Sequence, residues 1–156
     1  FLQKKYNVKF YEQPIDIQNI KIFTTDGQER SFSDFRGHTS LVMVWASWCK
    51  YCRRDFPKML EFAQRIKNTQ LRIIPLATPD QTARDVTEFY RQNGYFAVRP
   101  YISQRGDFFA KLGIRGVPSY ALVDKSGYAI ATISPKFGDI DLMDLMLEFD
   151  RSHVVK

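Results

Sequence analysis

At 156 residues, with 44% hydrophobic and 15% aromatic content, the chain is long enough to bury one sizeable core without disulfide staples. The net charge of +6 comes from basic residues scattered in runs of no more than two, which reads as a solvated surface and excludes a recognisable nucleic-acid interface. No apolar stretch approaches the roughly 18 residues that a membrane helix needs.

No repeat, linker or low-complexity segment divides the chain, so residues 1–156 are expected to form a single domain. The sequence starts at Phe1 rather than methionine, and the expectation is a processed or trimmed product whose signal or membrane anchor lies outside it. Residues 15–23 alternate as a strand does, Thr25-Asp26-Gly27 supplies a tight turn, and residues 29–32 return as its partner, giving an N-terminal β-hairpin. Residues 41–46 are apolar throughout, as befits a strand covered on both faces.

Immediately afterwards comes Trp48-Cys49-Lys50-Tyr51-Cys52, which holds both cysteines of the chain. Two thiols at i and i+3 on a helix have Cβ atoms about 5–6 Å apart, and a small adjustment brings them within the roughly 3.5–4.5 Å of a disulfide. The first sits at the helix mouth, where unpaired N–H groups and the positive end of the helix dipole favour an anion. Lys50, Arg53 and Arg54 add positive charge within a turn. Cys49 is therefore the expected nucleophile, in the setting where thiol pKa values fall to about 3.5–7.5, and Cys52 the resolving thiol. Zinc wants four ligands, and only His38 and His153 are available besides this pair. A static disulfide closing so short a loop would restrict the unfolded chain little.

The helix that follows carries Phe56, Met59, Leu60, Ala63 and Ile66 on one stripe to about Lys67, with Pro57 expected to kink it. Residues 71–77 read as a buried strand. Residues 82–93 read as a short helix presenting Val86, Phe89 and Tyr90 and ending near Gly94, and 107–112 as another. Strands at 119–123 and 128–133 bracket the turn Asp124-Lys125-Ser126-Gly127. A last helix over 139–151 shows a wide apolar face of Leu142, Leu145, Met146 and Phe149, widened by Ile140, Met143 and Leu147; it suits either the sheet or a partner surface. The order of elements predicts a three-layer α/β domain with a mixed sheet, its redox pair at the carboxyl end of a central strand, where open α/β sheets place their ligands.

Three blocks carry a resemblance: Val44-Trp45-Ala46-Ser47-Trp48-Cys49-Lys50-Tyr51-Cys52, Asp55-Phe56-Pro57, and Ile114-Arg115-Gly116-Val117-Pro118-Ser119. Through them the chain resembles thioredoxin-fold proteins, and more closely the TlpA/ResA-type thiol-disulfide oxidoreductases. The resemblance implies a thioredoxin-like α/β/α architecture, a cis peptide bond before Pro118 facing the cysteines, and a Val117 backbone able to pair with an extended substrate. Trp48, Lys50 and Tyr51 complete the implied substrate surface. The resemblance also implies a periplasmic, membrane-anchored protein disulfide reductase with no cofactor beyond its own Cys49–Cys52 disulfide and no metal. A membrane thiol-disulfide donor would reset it, and apocytochrome c or a copper-site assembly factor would be its substrate.

Two departures matter. Thioredoxins proper carry a buried aspartate where this chain has Met43, and the TlpA/ResA type has a glutamate where this chain has Asp55. Asp55 is either the acceptor of the Cys52 proton or a surface acid balancing Arg53 and Arg54. Lys50-Tyr51 replaces the proline-containing pair of relatives. The proline-threonine-cysteine motif of peroxiredoxins is absent, and neither histidine has the context of a Sco-type copper site. Reverse electron flow, a copper(I)-binding module and an inert interaction domain remain the competing classes.

Overall fold

The computed structural model describes residues 8–134, 146 and 148–150. Eight strands form one mixed sheet: β1 (Val8–Asp16), β2 (Lys21–Thr24), β3 (Glu29–Ser31), β4 (Thr39–Trp45), β5 (Leu71–Ala77), β6 (Tyr101–Ile102), β7 (Ser119–Val123) and β8 (Tyr128–Ile133). Their order across the sheet is β1-β8-β7-β4-β5-β6-β2-β3. The described helical elements include α1 (Lys50–Ile66), α2 (Ala83–Asn93) and α3 (Asp107–Leu112), with a short 3-10 helix at Phe32–Phe35. β4 runs parallel to β5 and antiparallel to β7, which makes it the interior strand that the apolar run predicted.

All seven β4 residues are buried, and alternation sends them to two cores. Leu41, Met43 and Trp45 join Phe56, Met59, Phe62 and Ile66 of α1 and Val86, Phe89 and Tyr90 of α2, together with Met146 and Phe149. Val42 and Val44 join Ile17, Ile20, Ile22 and Phe32 from the N-terminal segment and Phe108 and Leu112 of α3. Helical layers on both faces of the sheet give the three-layer α/β/α arrangement expected.

The strand expected at 15–23 is corrected: it is the end of β1 and the whole of β2, joined by a turn. Its cause is a phase slip in the apolar pattern. Ile15 and Ile17 keep the spacing of two, but the next buried residue is Ile20, and Ile20 N–H donates to the Ile17 carbonyl at 3.0 Å to close the turn. Asp16 Oδ1 accepts from Gln18 N–H at 3.0 Å and pins the corner. The hairpin itself joins β2 to β3 around Gly27, whose φ of 87° favours glycine. β1 extends upstream to Val8 and pairs with β8.

α1 continues through Pro57 as one element, and Phe62 joins its buried stripe while Leu60 and Ala63 are only half-buried. α2 begins on a reciprocal cap between Thr82 and Asp85 and ends on Gly94 at φ 67°. The helix expected over 139–151 lies outside the described residues apart from Met146 and 148–150, which are helical. No described helix is long and apolar enough to cross a membrane.

Candidate active site

β4 delivers the chain to Trp45, and a loop of residues 46–49 turns it into α1. Cys49 N–H donates to the Ala46 carbonyl at 3.1 Å, closing that loop. Cys49 is the N-cap of α1, with φ −85° and ψ 113°. Its sulfur accepts the Cys52 N–H at 3.1 Å, so it occupies the place that a capping oxygen takes in other helices. The two cysteines are disulfide-bonded with Cα atoms 5.2 Å apart. Cys49 keeps 6% of its surface exposed and Cys52 none. One cysteine therefore keeps a small exposure at a helix N-terminus, and its partner is sealed one turn inside.

The residues around the pair fall into two sets. Trp48, Lys50 and Tyr51 are exposed. Trp48 is tethered through its indole N–H to Asp80 Oδ2 at 2.7 Å, and the Arg54 guanidinium lies 5.4 Å from the centre of the Tyr51 ring. Val117 and Pro118 arrive from the other direction. β7 pairs with β4 so that Ser119 stands opposite Val44, which carries the half-buried residues 117 and 118 to the end of the sheet where β4 enters the loop. The Val117–Pro118 peptide bond is cis.

Asp55 is buried rather than on the surface. Its carboxylate is 3.6 Å from Arg54 Nε, whereas Arg53 turns away and donates to the Ser47 carbonyl at 3.3 Å. Tyr120, two residues past Pro118 and opposite Met43, feels that carboxylate. Burial pushes the Tyr120 phenol well above its ordinary value, and the Asp55 charge pushes it further. With Met43 apolar, Asp55 and Tyr120 are two buried polar side chains of this region that interact through charge.

Three contributors escaped the sequence reading. Asp80 and Gln81 come from the turn after β5. Asp80 is held below the usual carboxylate range by hydrogen bonds from the Thr78 hydroxyl first and then from Trp48 and Gln81. Gln81 bonds Ser47. Nothing local marks either residue, because the turn reaches the redox loop only through the parallel pairing of β4 with β5. Tyr120 comes opposite Met43 only once β7 pairs with β4, so it too lacks a local mark. Among the described residues no group of three or more His, Cys, Asp and Glu is placed to hold a metal. His38 precedes β4 at the opposite end, its Nδ1 3.1 Å from the Gln70 carbonyl oxygen, and His153 lies outside the described residues.

Comparison with known proteins places this geometry among relatives. The sequence model of the Redoxin family matches residues 13–143. The chain is 29% identical over 116 residues to the thiol-disulfide oxidoreductase ResA of Bacillus thuringiensis subsp. konkukian, covering 74% of this chain and 65% of that protein. The chain thus spans about 65% of the length of the curated relatives it matches. Among solved structures, the exposed lipoprotein thioredoxin Etrx1 of Streptococcus pneumoniae superposes with a TM-score of 0.71 at 24% identity, covering 82% of this chain and 97% of that one. A DsbF homologue from Corynebacterium diphtheriae superposes with a TM-score of 0.70 at 18% identity, covering 92% of each chain. These likenesses establish the thioredoxin fold.

Proposed function

The chain belongs to the Redoxin family, and we propose that it is a protein thiol-disulfide oxidoreductase working in the reducing direction outside the cytoplasm. The observation that carries the reading is the placement of the Cys49 sulfur at the N-cap of α1, bonded to its partner, in a residue that keeps a small exposure where Cys52 has none.

In the reduced protein, the Cys49 thiolate attacks one sulfur of a substrate disulfide. The new bond is Cys49–substrate, and the second substrate sulfur leaves as a thiolate that takes up a proton. Cys52 then loses its proton, attacks the Cys49 sulfur and releases the other substrate thiolate. Two electrons have passed to the substrate, and the chain is left in the disulfide form seen here. A dithiol donor returns it to the start by the reverse exchange. Asp55, one turn along α1 and screened from water, takes the Cys52 proton in the second step. Val117 offers its backbone to an extended substrate strand, with Pro118, Trp48, Lys50 and Tyr51 bordering the approach. The resemblance further supports a periplasmic, membrane-anchored full-length protein with a membrane thiol-disulfide donor, serving cytochrome c or copper-site maturation.

The test is capture. Cys52→Ser is expected to accumulate mixed disulfides between Cys49 and protein substrates in cells, and Cys49→Ser to abolish insulin reduction by the purified chain. A Cys52→Ser protein that captures nothing, beside a native chain that does not reduce insulin, contradicts the reading.

A further inference from the structure

Ser47, two residues ahead of Cys49, is bonded at every polar position it has. Its N–H and its hydroxyl both donate to Oε1 of Gln81, at 3.1 and 2.5 Å, and its carbonyl accepts from Arg53. Gln81 is only 6% exposed and is itself held in place: its N–H donates to the Thr78 carbonyl at 2.9 Å, and Thr78 N–H donates to the Trp45 carbonyl at 3.0 Å. Its Nε2 lies 3.4 Å from Asp80 Oδ2, the oxygen that also takes the Trp48 indole. This buried amide has no part in the exchange steps above, yet its oxygen is committed wholly to the loop before the nucleophile.

We propose that Gln81 is the positioning residue of this site: by holding Ser47 at both its N–H and its hydroxyl, it fixes the course of the chain from β4 into α1 and keeps the Cys49 sulfur over the amides of the helix N-terminus. The inference rests on the oxidoreductase reading of Cys49 but concerns a side chain that acts through Ser47. Without the Gln81 oxygen, two Ser47 donors lose their acceptor, and the loop must move to meet water. Cys49 follows, because its own N–H is bonded to Ala46 on the far side of Ser47. A sulfur displaced from the Cys52 N–H loses the stabilisation that an anion finds there.

The test is the pH dependence of Cys49 alkylation by iodoacetamide in the reduced full chain. Gln81→Met keeps the side-chain volume and removes the acceptor, and it is expected to move the inflection up by about one pH unit, a tenfold loss of thiolate preference. Ser47→Ala, which removes one of the two bonds, moves it the same way by less. The double variant moves it by less than the sum, since both act through one contact. The titratable groups nearest the sulfur on the bordering elements are Lys50, Cys52, Arg53, Arg54 and Asp55 on α1, Asp80 in the β5–α2 turn and Tyr120 on β7. Gln81→Met also removes the Gln81 bond to Asp80, whereas Ser47→Ala leaves that bond in place, so a shift common to both variants reports the Ser47 contact. An inflection that stays put in Gln81→Met overturns the proposal; if that variant does not fold, an unmoved inflection in Ser47→Ala does so. Insulin reduction by the native chain reports on the oxidoreductase reading separately, and it can fail while the inflection still moves with position 81.

Discussion

One turn of helix separates Cys49 from Cys52, and their surroundings divide the chemistry between them. Cys49 takes a backbone N–H and keeps a small exposure; Cys52 is sealed and has Asp55 a turn further along the same helix. In the proposed mechanism, removing the carboxylate leaves the attack on substrate intact and deprives the resolving step of its base. Asp55→Asn is expected to slow resolution about 100-fold, the lower end of general-base effects. Rapid acid quenching would show the mixed disulfide accumulating, and alkaline pH would restore the rate as the Cys52 thiol ionises unaided. Asp80 makes a different prediction. Its carboxyl is lowered in the folded chain from 3.8, so the folded state favours the anion, and the resulting stability is present above that value and lost as pH falls through the lowered one. Asp80→Ala should melt below the native chain at neutral pH, and melting curves across a pH series should converge in acid.

At the level of elements, the aromatic core behind the redox helix is tightly used. Phe56 meets Trp45 edge-on at 4.8 Å and stacks on Tyr95 at 5.2 Å, so α1 is anchored just past Asp55 by rings from β4 and the segment after α2. Tyr90 belongs to the same cluster at 5.5 Å from Phe56, and its hydroxyl is buried without a hydrogen-bond partner among the described residues. Burial alone pushes that phenol far above its ordinary value. A buried hydroxyl with no partner costs about 1–3 kcal/mol, so Tyr90→Phe is expected to raise stability by about 1 kcal/mol, read from urea unfolding. The elements with strong local signals were legible in the sequence: the unbroken apolar run of β4, the helical stripe of α1, the Thr82 cap and Gly94 stop of α2, the Asp124–Gly127 turn. Illegible were β6, whose two residues carry no period, and the corner between β1 and β2, where the slip from Ile17 to Ile20 resembles continued alternation unless the count is kept.

Across the whole molecule, β4 divides one core from the other and carries the reactive loop at its carboxyl end. The opposite end is tied down: Asp150 Oδ1 accepts from the Thr39 hydroxyl at 2.6 Å and lies 3.4 Å from Lys125 Nζ. At the edge of the sheet, the Tyr11 hydroxyl donates to the Leu112 carbonyl at 2.7 Å and fastens β1 to α3. The sequence located the cysteines, the helix mouth and the cis-proline turn, because each is written in contiguous residues or in a family pattern. It concealed Gln81 on Ser47 and Tyr120 beside Asp55, which exist only once distant strands pair. The account as a whole stands on Cys49 and Cys52 forming a reversible couple poised to reduce. Equilibrating the chain in graded thiol-disulfide buffers measures this directly: one two-electron transition between about −220 and −300 mV is predicted, while a midpoint near −120 mV, or a disulfide that persists beyond about −300 mV, would contradict it.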